Sequence, residues 1–254
     1  MTTTKIKHKG GKVLRQSLIN RFVHWSTALS IFLLILTGLG QMPLYNRYNV
    51  TKLPGAEWLG DYFITVGLHY LAAVLLIFIA FYHIVNAFIR KEFDIFPRRG
   101  DLKESYLIIK AMFTKGKEPP SDKYLAEQRL AYLFIGGNVL LLILTGLIKM
   151  YKNVPGVELS NSLLFWNTMF HNIGTVLLIL GIIGHLAAFL IKENRALLPG
   201  MFTGYIDHDY VKHRHSLWYK KLQTQDEEIQ PKGNTNQGTS SKKSTHIPAK
   251  SSSM

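Results

Sequence analysis

The sequence predicts an all-α integral membrane protein built on four transmembrane helices, and two observations carry that prediction. Apolar residues gather into four runs, 22–40, 63–89, 130–148 and 163–191, each long enough to cross a hydrocarbon core of roughly 30 Å as a helix. Inside these runs the only side chains that titrate near neutral pH are histidines.

The first run follows basic residues, as the apolar part of a signal peptide would, but it is longer and no small-residue cleavage pattern follows it. It is therefore expected to be a retained helix. The distribution of charge orients all four runs. Six Lys and Arg with no Asp or Glu precede Phe22, ten lie between Arg90 and Arg129, and ten follow Ile191. The connections 41–62 and 149–161 carry two each. Positive charge marks the cytoplasmic side, so both termini and the central loop are expected inside. The formal charge of +14 is explained by this flanking pattern. No nucleic-acid partner is expected, because the basic residues flank spans and form no patch interleaved with stacking aromatics.

The expected organisation is a basic cytoplasmic N-terminus (1–21), a four-helix domain (22–191) with a cytoplasmic loop (90–129), a cytoplasmic segment (192–229) and a tail (230–254). In the loop, Leu102, Tyr106, Ile109 and Phe113 recur at helical spacing among charges, which predicts an amphipathic helix on the membrane surface. Pro119 and Pro120 end it. The tail is rich in Ser, Thr, Lys, Gly and Asn and is expected to be disordered.

Leu-Leu-Ile-Leu-Thr-Gly-Leu occurs twice, at Leu33 to Leu39 and Leu141 to Leu147, which suggests a duplicated hairpin of helices. Thr and Gly inside a span admit a neighbouring helix or a flat macrocycle at close range.

The histidines carry the chemistry. His69 and His83 in the second run, and His171 and His185 in the fourth, are each 14 residues apart. Fourteen residues advance a helix by about 21 Å and return to nearly the same face. Each helix thus offers one imidazole near each membrane surface. Two such helices can hold two stacked haems, each iron taking one nitrogen from either side. The chain has no cysteine, which removes disulfides, iron-sulfur clusters and thioether-linked haem. A diheme cytochrome b bundle is the expected architecture, with two haem b. The topology puts His69 and His171 near the outer surface. At the inner surface there are three candidates for two ligand positions, His24, His83 and His185, and the symmetry of the repeat favours His83 with His185. A haem-free transporter or anchor with a histidine proton relay is the alternative of another class. It would call for intramembrane carboxylates or broken helices.

The chain resembles the cytochrome b, or gamma, subunit of respiratory formate dehydrogenases. The resemblance rests on Arg21-Phe-Val-His-Trp25, Leu68-His69, Gly116-Lys-Glu-Pro-Pro-Ser-Asp-Lys-Tyr124, Gln128, the His171/His185 pair, and Lys212-His-Arg-His215 followed by Trp218-Tyr219. It implies a subunit of a bacterial inner membrane, with no catalysis of formate oxidation in this chain. Electrons would come from an iron-sulfur subunit, fed by a molybdenum or tungsten catalytic subunit, and pass to menaquinone or ubiquinone near the cytoplasmic side. It implies axial ligands His69 with His171 for the outer haem and His24 with His185 for the inner one, leaving His83 as the alternative ligand. A quinone site is implied at the head of the third span, where Tyr124, Glu127 and Gln128 stand. Leu125 departs from the amide residue of the family pattern, since it offers no hydrogen bond. The same histidines would serve the cytochrome b subunit of a nickel-iron hydrogenase, the alternative within the class.

Overall fold

The computed structural model of the protein describes residues 11–42, 44–114, 116 and 118–229. The expected disordered tail, 230–254, lies outside the described residues. In chain order the helices are α1 (Leu18–Gln41), α2 (Leu44–Arg47), α3 (Tyr62–Arg90), α4 (Asp101–Thr114), α5 (Ala126–Tyr151), α6 (Asn161–Ala187), α7 (Lys192–Arg195), α8 (Leu198–Phe202), α9 (His208–Arg214) and α10 (Ser216–Ile229). Short 3-10 turns occur at Val50–Lys52, Glu57–Gly60 and Ala188–Leu190. Two strands, β1 (Lys12–Leu14) and β2 (Tyr205–Asp207), complete the described elements.

Helices α1, α3, α5 and α6 are the four long apolar ones. Three begin at polar caps. The side chains of Ser17, Asp61 and Ser160 accept from the amides of Asn20, Ile64 and Leu163. In α5 the Gln128 side chain reaches back to the Leu125 amide at 3.3 Å. The chain leaves α3 at Lys91, a left-handed residue (φ 54°).

α1 packs along α3 and α5 along α6, giving two hairpins laid side by side. Their outward faces are apolar: Phe32, Phe63, Phe78 and Ile89 are between 67 and 81% exposed. Such an inside-out surface suits lipid, which has no water to exclude these side chains from. Between the hairpins, Ile31, Leu76 and Leu178 form a buried cluster with Ile135, Val139 and Leu142 from α5. Leu76 lies seven residues from both His69 and His83, and Leu178 seven from both His171 and His185. The cluster therefore sits about 10 Å along each helix from either histidine.

At one end of the bundle the segments before α1, between α3 and α5, and after α6 pack into a polar cap. β1 pairs antiparallel with β2, placing Val13 opposite Ile206. Both are buried with Leu197, Val211 and Trp218. The amides of Arg15 and Gln16 bond to the Gly204 carbonyl at 2.8 and 3.1 Å. Gly204 has φ 88°, and a Cβ there would stand 2.7 Å from the Gln16 carbonyl, so the turn demands glycine. The N-terminal and C-terminal segments, separate stretches in the sequence, thus share a sheet and a core. Strands of three residues are too short to give a periodic pattern.

α4 lies where the spacing predicts a helix, and the face carrying Leu102, Tyr106 and Ile109 is exposed, whereas Asp101, Ser105, Ile108 and Ala111 are buried. The Arg129 guanidinium anchors it, donating to both carboxylate oxygens of Asp101 at 2.9 and 2.6 Å. Both side chains are 3% exposed. That hydrogen bonding holds the Asp101 carboxyl below its usual pKa. At the opposite end, Asn153 donates to the Tyr70 hydroxyl at 3.1 Å, tying the connection after α5 to α3.

Candidate functional site

At the end of the bundle away from the cap, His69 of α3 meets Thr37 of α1, and His171 of α6 meets Thr145 of α5. The His69 Nδ1 to Thr37 Oγ1 distance is 3.0 Å, and the His171 Nδ1 to Thr145 Oγ1 distance is 2.8 Å. Each threonine hydroxyl also donates to a carbonyl one turn back, Thr37 to Leu33 at 2.6 Å and Thr145 to Leu141 at 2.8 Å. A hydroxyl has one proton, so toward the imidazole it accepts. The Nδ1 of both histidines is thereby the protonated nitrogen, and Nε2 keeps its lone pair, the form a metal ligand requires. The residue after each threonine is glycine. A Cβ on Gly38 would stand 3.3 Å from His69 Cε1, and one on Gly146 would stand 3.7 Å from His171 Cε1. The Thr-Gly of the duplicated heptapeptide therefore seats His69 in one hairpin and His171 in the other.

At the capped end, His24 of α1 and His185 of α6 face one another across the two hairpins, with ring centroids 6.4 Å apart and planes at 52°. The buried Nδ1 of His24 has no hydrogen-bond partner among the described residues. Two metal–imidazole bonds of about 2 Å and two ring radii of about 1 Å sum to roughly 6 Å, so the spacing fits a metal held between the rings. His83 goes elsewhere. Its Nε2 lies 2.9 Å from the Tyr132 hydroxyl of α5. The side chains brought together here are imidazoles, which suit axial ligation of haem iron.

Arg21 and Trp25, which bracket His24, bond to α8. The Arg21 guanidinium donates to the Phe202 carbonyl, and the Trp25 indole to the Met201 carbonyl at 2.9 Å. At the head of α5, the Gln128 side-chain oxygen accepts from Arg15 at 3.0 Å as well as from the Leu125 amide. Arg15 is itself buried, also donates to the Lys123 carbonyl at 2.9 Å, and lies over the Tyr124 ring. Burial pushes its pKa down. The Tyr124 hydroxyl meets Gln16. Glu127 leaves its buried Oε2 without a hydrogen-bond partner among the described residues. Tyr124, Glu127 and Gln128 thus share the capped end with His24 and His185.

His215, in the basic aromatic segment, is fully buried, and its Nδ1 donates to the Asp122 carbonyl at 2.7 Å. Burial among Arg15 and Arg214 lowers its pKa to about 4. Arg214 pairs with Glu118 at 3.0 Å. The two sequence segments before α5 and after α8 are therefore bound to each other. Gly174 and Gly181 pack on α5, since a Cβ on either would press on Leu141 or Phe134. Gly67 and Gly184 face open space. Thr37, Thr145 and Tyr132 escape a reading based on histidines alone. The repeated Thr-Gly was the signal for the first two.

A family model described as prokaryotic cytochrome b561 matches residues 15–204, from the buried Arg15 through the four long helices to Gly204. The chain is 22% identical over 219 residues to the nitrate-inducible formate dehydrogenase cytochrome b556(Fdn) subunit of Escherichia coli K12, covering 85% of this chain and 94% of that protein. The subunit of the same name from Shigella flexneri matches to the same extent. The chain belongs to the prokaryotic cytochrome b561 family, as a multi-pass membrane cytochrome b related to the cytochrome subunit of formate dehydrogenase.

Proposed function

We propose that this chain is the membrane electron-transfer subunit of a respiratory formate dehydrogenase in a bacterial inner membrane, with both termini cytoplasmic. His69 and His171 hold one haem b near the outer surface, and His24 and His185 hold a second near the inner surface. Haem b, when bound, supplies reversible one-electron storage at an iron whose potential its ligands and surroundings set. Electrons enter at the outer histidines from an iron-sulfur partner and leave at the inner ones for a quinone. Formate chemistry belongs to a separate molybdenum or tungsten subunit.

The observation that carries the reading is the meeting of His24 and His185 at 6.4 Å, with His185 fourteen residues along α6 from His171. The protein's own contribution is orientation and exclusion of water. Thr37 and Thr145 present Nε2 of the outer imidazoles. The Ile31, Leu76 and Leu178 cluster keeps the interval between the two pairs dry. Lys149, close enough to His69 and His171 to act on both electrostatically, offers a positive charge to propionates.

The test is haem b per chain by pyridine haemochromogen on the purified complex, with His24→Ala and His171→Ala beside the wild type. Two haems, falling to one in each variant, are expected. One haem in the wild type, or two in His24→Ala, sinks the assignment. Recovery of a nickel-iron enzyme as the bound partner would replace formate dehydrogenase by hydrogenase.

A further inference from the structure

We propose that His83 and Tyr132 form the hydrogen-bonding site for the head group of a lipid-borne quinone. The proposal rests on the reading of this chain as a quinone-linked cytochrome and says where in the chain the quinone binds.

His83 comes from α3 and Tyr132 from α5, one from each hairpin, and they meet at 2.9 Å within helices that are otherwise apolar. A polar side chain inside a membrane span is costly unless it serves a purpose there. A neutral imidazole and a phenol together carry two donor hydrogens. Their mutual bond uses one, and it is their only side-chain hydrogen bond among the described residues. One N–H or O–H is left to donate. A quinone carbonyl, which only accepts, is the complementary group.

The surroundings fit a flat ring arriving from lipid. Both side chains are half-buried. Phe96 stands against Tyr132 with centroids 5.6 Å apart, and Phe93 continues this aromatic wall at 5.8 Å. Both phenylalanines are 42% exposed, so the wall opens outward. Depth fits as well. Tyr132 is six residues into α5 and His24 six into α1, both counted from the capped end. Each lies about 9 Å below that end, so a quinone here is level with the inner histidine pair. Gln128, by contrast, has its side-chain oxygen taken up by Arg15 and the Leu125 amide.

The experiment titrates the purified, haem-loaded complex with a fluorescent alkyl-hydroxyquinoline N-oxide, a quinone-site probe whose emission is quenched on binding. Tyr132→Phe and His83→Gln are compared with the wild type, and haem content and dithionite-reduced spectra are recorded in parallel. Roughly tenfold weaker probe binding in each variant, with two haems retained, is expected from loss of one hydrogen bond. Probe binding within twofold of wild type in both variants overturns the proposal. Loss of a haem in His83→Gln overturns it too, because His83 would then be a ligand. A wild-type complex that binds no probe brings down the quinone reading itself, a result distinct from either of these.

Discussion

The Thr145 hydroxyl accepts the Nδ1 proton of His171 at 2.8 Å, and 108 residues earlier in the chain Thr37 does the same for His69 at 3.0 Å. In each hairpin the first helix carries the threonine and the second the histidine, so the His69 and His171 imidazoles are fixed by equivalent contacts. The His24 and His185 pair at the capped end lacks this arrangement, since His24 Nδ1 has no partner among the described residues. The His69 and His171 rings are thus the more firmly oriented of the two pairs.

Thr145→Val keeps the shape of the side chain and removes its oxygen. Loss of an orienting partner of a metal-bound histidine weakens metal affinity about 10- to 100-fold. We expect the haem proposed at His69 and His171 to be lost more readily in detergent, with an altered low-spin signal in paramagnetic resonance, and Thr145→Ser to restore both. Identical haem retention and spectra in Thr145→Val would show that the contact is incidental.

Gly38 and Gly146 differ in tolerance. A methyl group on Gly146 reaches ordinary contact distance from His171, whereas one on Gly38 crowds His69 at 3.3 Å. Gly146→Ala is expected to leave the haem spectrum unchanged and Gly38→Ala to shift it. Equal spectra in both would mean that the His69 ring moves freely.

The Asp101 and Arg129 pair is buried, with both side chains 3% exposed. Asp101→Asn removes the buried counter-charge of a guanidinium that keeps only the Tyr124 carbonyl at 2.6 Å and Glu104 at 3.4 Å, and is expected to cost at most about 3–5 kcal/mol. Asp101→Leu with Arg129→Met removes both charges and is expected to cost far less. Thermal unfolding of the complex, followed by loss of the reduced haem band, separates the two. A single variant as stable as the wild type would contradict the packing of α4 on α5.

His215 sets the acid limit of the cap. Its folded pKa of about 4 lies below the ordinary value near 6.5, so the unfolded chain takes up the proton first. Stability is complete above pH 6.5 and falls as pH drops toward 4, by at most about 3 kcal/mol from this residue. His215→Gln can keep the bond to the Asp122 carbonyl without titrating. The measurement is the thermal midpoint of both proteins from pH 7 to 4. Parallel curves would remove His215 as the cause.

The number and placement of the spans, the amphipathic helix with its exposed face, and the two levels of histidine follow from the sequence by itself. The reason is local: length, hydropathy and helical period act along one element at a time. The family resemblance pointed to His24 with His185, but the spacing of the histidines favoured His83, and the meeting of the His24 and His185 rings is seen only in three dimensions. His24, His83 and His185 share a depth, and nothing in their spacing says that α1 turns His24 toward α6 while α5 offers Tyr132 to His83. That choice depends on the rotation and pairing of helices from different hairpins, which side-chain packing of Ile31, Leu76 and Leu178 sets. The role of the repeated Thr-Gly stayed hidden for the same reason, because its partner lies on the neighbouring helix. The cap was the least visible part of the fold. Strands of three residues, a fully buried His215 and an Arg15 wedged against Gln128 exist only because distant polar segments close over one end of the bundle together.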